Sequence, residues 1–147
     1  MQRRNFVRFL LGVTATVLLV PLNVLAALWN KAAFQSTTLS GALQAMDIGA
    51  ETDSADIQII VPEIAENGAI VQVEVTSRIP NTEAIAIVVE HNPTPLIANF
   101  MFSNGAEPFV VTRIKMAETS DVQAIIKVGN QYFKASKRVE VLENGCN

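Results

Sequence analysis

An all-β fold, an immunoglobulin-like antiparallel β-sandwich of about seven strands with a short N-terminal helix, follows from three observations on this 147-residue sequence. Apolar and polar residues alternate with a period of two through most of residues 56–141. Turn-forming residues recur between the alternating runs, and a single window near residue 40 carries a helical period. Seven short antiparallel strands at this spacing argue for two packed sheets.

Residues 1–26 read as a twin-arginine export signal. Arg3 and Arg4 are followed by Asn5, Phe6, Val7 and Arg8, and no charged residue then appears across residues 9–30. Val24 and Ala26 supply the small residues a signal peptidase reads, which places cleavage after Ala26. The uncharged run is also long enough to span a bilayer as an uncleaved anchor. Against that, Pro21 and Asn23 interrupt it and the paired arginines stand where a signal's basic start belongs. The expected product is periplasmic, begins near Ala27 and has no membrane association once cleaved.

Cleavage there removes three arginines and no acid, leaving eight basic against fourteen acidic side chains and a formal charge of −6. Such a surface repels nucleic acid and anionic lipid. About 120 remaining residues suffice for one domain with a real core. A single cysteine in an oxidising compartment leaves hydrophobic packing, not disulfides, to hold it together.

Residues 27–55 form an N-terminal segment with one helix over residues 37–46. Thr38 or Ser40 can cap it, and Leu39, Leu43 and Met46 recur at intervals of three to four. Residues 56–141 form the sandwich, with strands expected over 57–61, 69–76, 84–90, 97–102, 109–116, 122–128 and 131–141. Val71, Val73 and Val75 alternate with Gln72, Glu74 and Thr76, so three β-branched residues share one strand face. The sets Ile85, Ile87, Val89 and Val122, Ala124, Ile126, Val128 repeat that spacing, as do Thr112, Ile114 and Met116 against Arg113 and Lys115. Turns fall at Glu66-Asn67-Gly68, Pro80-Asn81, Asn92-Pro93-Thr94-Pro95 and Asn104-Gly105. Gly129-Asn130 suits a two-residue type II′ hairpin.

Residues 142–147 form a flexible C-terminal arm, and it carries the chemistry. Cys146 has no second cysteine to pair with internally, which leaves an intermolecular bond, a covalent cargo, or accident. Five residues beyond Val141, its sulfur can stand roughly 16 to 18 Å from the sandwich if the tail is extended. Gly145 adds backbone freedom beside it. Glu143 and a terminal carboxylate disfavour the thiolate, of which a free cysteine holds only roughly 3 per cent at pH 7. Alone, the arm is a poor nucleophile.

Other chemistry lacks its parts. There is no Cys-x-x-Cys-His haem attachment and no nucleotide-binding glycine loop, so no cofactor is expected. His91 reads as a surface residue, since one imidazole makes no metal site. Met46, Met101 and Met116 read as core filling. Glu63, Glu66, Glu90 and Glu118 read as a solvated acidic surface, and Arg113 and Lys115 as an outward strand face.

Several stretches together resemble the SoxY family, the sulfur-carrier subunits of the periplasmic thiosulfate-oxidising Sox system. They are the run of residues 62–69 (Pro-Glu-Ile-Ala-Glu-Asn-Gly-Ala), Glu90 with Asn92-Pro93 and Pro95-Leu96, residues 112–116 with Glu118-Thr119-Ser120, and the terminal cysteine. The resemblance implies a sandwich, a permanent heterodimer with a SoxZ subunit, and substrate carried covalently on Cys146 without catalysis by this chain. It further implies haem-containing SoxAX, a metal-dependent SoxB hydrolase and a SoxCD-type oxidase as transient partners. The family's arm usually reads Gly-Gly-Cys-Gly. Here it is Glu143-Asn144-Gly145-Cys146-Asn147: Gly145 and Cys146 carry over, Asn144 replaces the glycine before them and Asn147 the trailing glycine. The alternative reading is an exported immunoglobulin-like interaction module that uses Cys146 only for intermolecular cross-linking. The intact mass of exported protein is expected to correspond to a chain starting near Ala27; a mass that still includes Arg3 would refute the signal assignment.

Overall fold

The computed structural model describes residues 30–143, and from Lys31 these form one compact unit. The signal segment, and the arm residues Asn144, Gly145, Cys146 and Asn147, lie outside the described residues. Two helices open the chain: α1 (Lys31–Gln35) and α2 (Leu39–Ala45). Nine strands follow: β1 (Thr52–Asp53), β2 (Ile57–Ile60), β3 (Ile64–Ala65), β4 (Val71–Ser77), β5 (Ala84–Val89), β6 (Leu96–Met101), β7 (Phe109–Ile114), β8 (Ser120–Val128) and β9 (Gln131–Val141). The larger sheet has the order β1-β9-β8-β5-β6 with β3 also on β9, and the smaller has the order β2-β4-β7.

The seven strands legible from alternation are all present, within a residue or two of their expected ends. Two more are added. β1 and β3 are dipeptide strips, and both pair parallel to β9, so the sandwich is not wholly antiparallel. β8 occupies one edge of β9 along nearly its whole length. The two strips must therefore share the opposite edge, one near each end. Between them Ser136, Lys137 and Arg138 stay exposed. Short strips and charge at an open edge discourage pairing with another chain.

The core sits between the sheets. Val71, Val73 and Val75 of β4, with Ile57 and Ile59 of β2, meet Ile85, Ile87 and Val89 of β5 and Val122, Ala124 and Ile126 of β8. β-branched residues dominate because their stiff side chains pack well on a pleated surface. β5 departs from simple alternation: all six of its residues are buried. Its odd-numbered face looks into the sandwich. Its other face, through Ala86 and Val88, packs with Ala33, Ala42, Ile48, Leu96 and Ile125 beneath α1 and α2. The apolar run of residues 84–89 is thus the signature of a strand covered on both sides, giving three layers in all.

The helical region resolves into two helices where one was expected. Thr38 caps α2: its hydroxyl accepts the Gly41 N–H at 3.1 Å. Leu39, Leu43 and Met46 lie half-buried on the sheet, which makes their spacing a packing stripe. Of the methionines read as core filling, Met116 is fully buried, but Met101 is 66% exposed at the tip of edge strand β6.

At the β8–β9 hairpin, Gly129 takes the left-handed φ of 57° that a two-residue turn demands of its first position. Glu83 braces this turn. One carboxylate oxygen pairs with Lys127, and the other accepts the Gly129 N–H at 3.0 Å. The Lys127 hydrogen bond, then the Gly129 N–H, hold the Glu83 carboxyl below its ordinary value. A depressed folded value means that this stabilisation is complete above the ordinary glutamate range and is lost as pH falls through the lowered value. Glu83→Gln is expected to flatten the corresponding part of the acid limb when urea midpoints are compared from pH 7 down to pH 3. An unchanged pH profile would show that the brace is energetically silent.

Candidate functional site

β9 delivers the chain to the arm, and its last residues are held from both edges. On the strip side, the Glu140 N–H donates to the Glu63 carbonyl at 2.9 Å and the Leu142 N–H to the Ala65 carbonyl at 3.0 Å. This is parallel pairing, in register Ile64 with Glu140 and Ala65 with Val141. One step further, the Gly68 N–H donates to the Glu143 carbonyl at 2.8 Å. On the other side, β8 pairs with β9 only as far as Ser120 opposite Val139. Beyond that point the Thr119 side chain takes over, accepting the Val141 N–H at 2.9 Å.

These pins shorten the arm. Extension from Val141 predicts a reach of roughly 16 to 18 Å, but backbone order continues through the carbonyl of Glu143. Cys146 is the third residue beyond the Glu143 pin, so three residue steps separate them. They span at most roughly 10 to 11 Å.

The pins are themselves buttressed. The Gly68 carbonyl accepts the Met116 N–H at 2.7 Å, tying the strip to the segment after β7. The buried Asn92 side chain clamps that segment twice: its amide donates to the Lys115 carbonyl at 2.7 Å, and its oxygen accepts the Ala117 N–H at 2.8 Å. Its neighbour His91 donates its backbone N–H to the Ser120 hydroxyl at 3.2 Å, and its ring Nδ1 lies 3.1 Å from the Thr119 carbonyl. His91 is therefore exposed, as expected, yet partnered. The Glu118 carboxylate stands 3.5 Å from the same ring nitrogen.

Of the five arm residues singled out from sequence, Glu143 alone falls among the described residues. It is exposed, and its role is played by its backbone carbonyl. Sequence reasoning missed Ala65, Gly68, Asn92 and Thr119 as arm-holding residues. Their signal was present in another form. The three internal stretches that carry the family resemblance, at residues 62–69, 90–96 and 112–120, all come together beneath the end of β9.

Beside the root lies an open cleft of about 660 Å³ lined by Val61, Glu63, Thr119, Lys137, Arg138 and Glu140. Its charges are mixed, and Arg138 already pairs with Asp121 at 3.4 Å. Among the described residues no three His, Cys, Asp or Glu side chains cluster as metal ligands, and no helix is long and apolar enough to cross a membrane. Glu63, Glu66, Glu90 and Glu118 are exposed, as are Arg113 and Lys115.

Comparison with known proteins fits this geometry. The family model for the sulfur oxidation protein SoxY matches residues 44–146. Among solved structures, that of the sulfur carrier protein SoxY from Chlorobium limicola f thiosulfatophilum is 34% identical with a TM-score of 0.66, covering 77% of this chain and 99% of that one. A superoxide reductase (neelaredoxin) from Ignicoccus hospitalis is 22% identical with a TM-score of 0.49, covering 58% and 79%, too distant to bear on function. No curated protein matches.

Replacing Thr119 by Val keeps the shape and removes the acceptor for the Val141 N–H. The expected loss is about 0.5 to 1.5 kcal/mol. Hydrogen exchange is expected to speed up at the Val141 amide more than at amides inside β8. Equal protection in both proteins would mean that the hydroxyl is not a pin.

Proposed function

The chain belongs to the SoxY family of sulfur oxidation proteins, and from that premise we propose that it is a periplasmic covalent carrier, holding thiosulfate-derived sulfur on Cys146 and presenting it to partner enzymes. The observation that carries this reading is the placement of the sole cysteine: three residues past a root pinned at both edges, inside the stretch that the family model matches. On this reading the thiol is a cargo hook tethered to a rigid body.

The chemistry assigns the work to others. Joining thiosulfate to the thiol gives Cys–S–S–SO₃⁻, one proton and two electrons. The electrons leave for an acceptor, and a haem protein of the SoxAX kind supplies one. Water then attacks the terminal sulfonate sulfur on a SoxB-type hydrolase, releasing sulfate and a proton and leaving Cys–S–SH. A SoxCD-type oxidase acts on that persulfide. In each step the chain supplies a sulfur atom and a leash, and we assign it no catalytic group. We further propose that it works as a heterodimer with a SoxZ subunit. The asparagines flanking Gly145-Cys146 make this arm bulkier than the family's usual glycines.

Protein purified from thiosulfate-grown cells is expected to show sulfur-bearing mass additions that vanish with reductant and are absent from Cys146→Ser. That variant is expected to melt within about 1 °C of the parent, because the core clusters among the described residues are complete without it. Disulfide-linked dimer with no small adduct under any growth condition would instead favour a cross-linking module.

A further inference from the structure

A short leash has a geometric cost for the partner. From the Glu143 carbonyl to Cys146 the chain covers at most roughly 10 to 11 Å. An enzyme whose reacting group lies that deep in a narrow channel can be served only if its rim comes down onto the surface around the root. Three of the seven large hydrophobic side chains exposed among the described residues lie on that stretch of chain. Ile64, Ile70 and Leu142 are 55%, 70% and 61% exposed. Each lies within two residues of a root pin: Ile64 between the Glu63 and Ala65 carbonyls, Leu142 through its own N–H, and Ile70 two residues after Gly68. Exposed aliphatics are ordinary when scattered, but three gathered about one functional point mark an interaction site. Nothing in the fold itself requires them to be apolar. Ile64 and Ile70 flank backbone groups that do the pinning, and any side chain could stand in their places.

We propose that Ile64, Ile70 and Leu142 form a docking collar that seats the apolar rim of a channel-bearing partner enzyme when Cys146 enters it. The proposal rests on the carrier reading above and adds the partner's point of contact. Around the collar stand the exposed carboxylates of Glu63, Glu66, Glu140 and Glu143, outnumbering Lys137 and Arg138 on the cleft side. The fitting rim is therefore apolar at its lip and basic outside it. Contact at the lip sets how tightly carrier and enzyme associate; the bond chemistry at the channel floor is untouched by it.

The test uses the mature chain with any subunit that co-purifies. Its thiol is loaded with tetrathionate: the Cys146 thiolate attacks a central sulfur, forming Cys–S–S–SO₃⁻ and expelling thiosulfate, so no other oxidant is needed. Sulfate release by the source organism's SoxB-type hydrolase is then followed against carrier concentration. Ile64→Ser/Ile70→Ser and Leu142→Ser are expected to raise KM about tenfold with kcat unchanged within about twofold, while the tetrathionate loading rate stays at the parent value. Met101→Ser, equally exposed but at the opposite end of the larger sheet, is the control and is expected to leave KM alone. A KM within twofold of the parent in both collar variants overturns the collar and leaves the carrier reading standing. Collar variants that instead fall apart from the co-purifying subunit in sedimentation also overturn it, since the patch would then be an assembly interface. If loaded parent protein yields no sulfate at all, the carrier reading itself fails and the collar goes with it.

Discussion

Three backbone hydrogen bonds, from Glu140 to Glu63, from Leu142 to Ala65 and from Gly68 to Glu143, fix the end of β9 and the two residues beyond it. They are ordinary in strength, each contributing about 0.5 to 1.5 kcal/mol net. Their importance is positional. A β-strand at the end of a chain frays unless something ties it down. Here the tie is a dipeptide strip laid parallel along the last residues of β9, with Thr119 closing the other edge. The proposed reach of Cys146 is measured from that point.

The rest of the fold acts as support for it. β5 runs through the middle of the molecule with both faces covered, by the smaller sheet on one side and by α1 and α2 on the other. β8 lies between β5 and β9. The root is thus joined to the deepest part of the core through one intervening strand. The loop after β5 adds a second route, since Asn92 and His91 bind the segment that leads from β7 into β8. The end of β9 is thereby held to the core by two separate routes.

Much of this was legible in the sequence, and what was not has a physical reason. Period-two runs such as Val71, Val73 and Val75 announce a half-buried strand because alternate side chains face alternate sides. The run at residues 84–89 has no polar partner residues, and its meaning depends on the helices that lie across it. β1 and β3 could not be found by periodicity, because two residues have no period. Their pairing is decided by where the chain passes after its turns, a tertiary matter. Thr38 as a helix cap and Gly129 as a hairpin residue were readable from local chemistry alone. Thr119 and Asn92 were not, as each acts on backbone more than 20 residues away. The cysteine lies at the other extreme: its isolation near the end of the sequence is plain from composition and order, with no coordinates needed.

Asn92 also makes the fold depend on the integrity of one side-chain amide, which Pro93, having no backbone N–H to attack it, shields from the ordinary cyclisation route. Its side chain gives a proton to one backbone group and takes one from another, and it is 7% exposed. Aspartate has the same outline. Hydrolysis of that single amide would nonetheless set a carboxylate oxygen against the Lys115 carbonyl, acceptor facing acceptor, in a place where water cannot easily intervene. A protein carrying aspartate there would lose its grip beneath β9 while keeping its shape on a gel and almost all of its original mass.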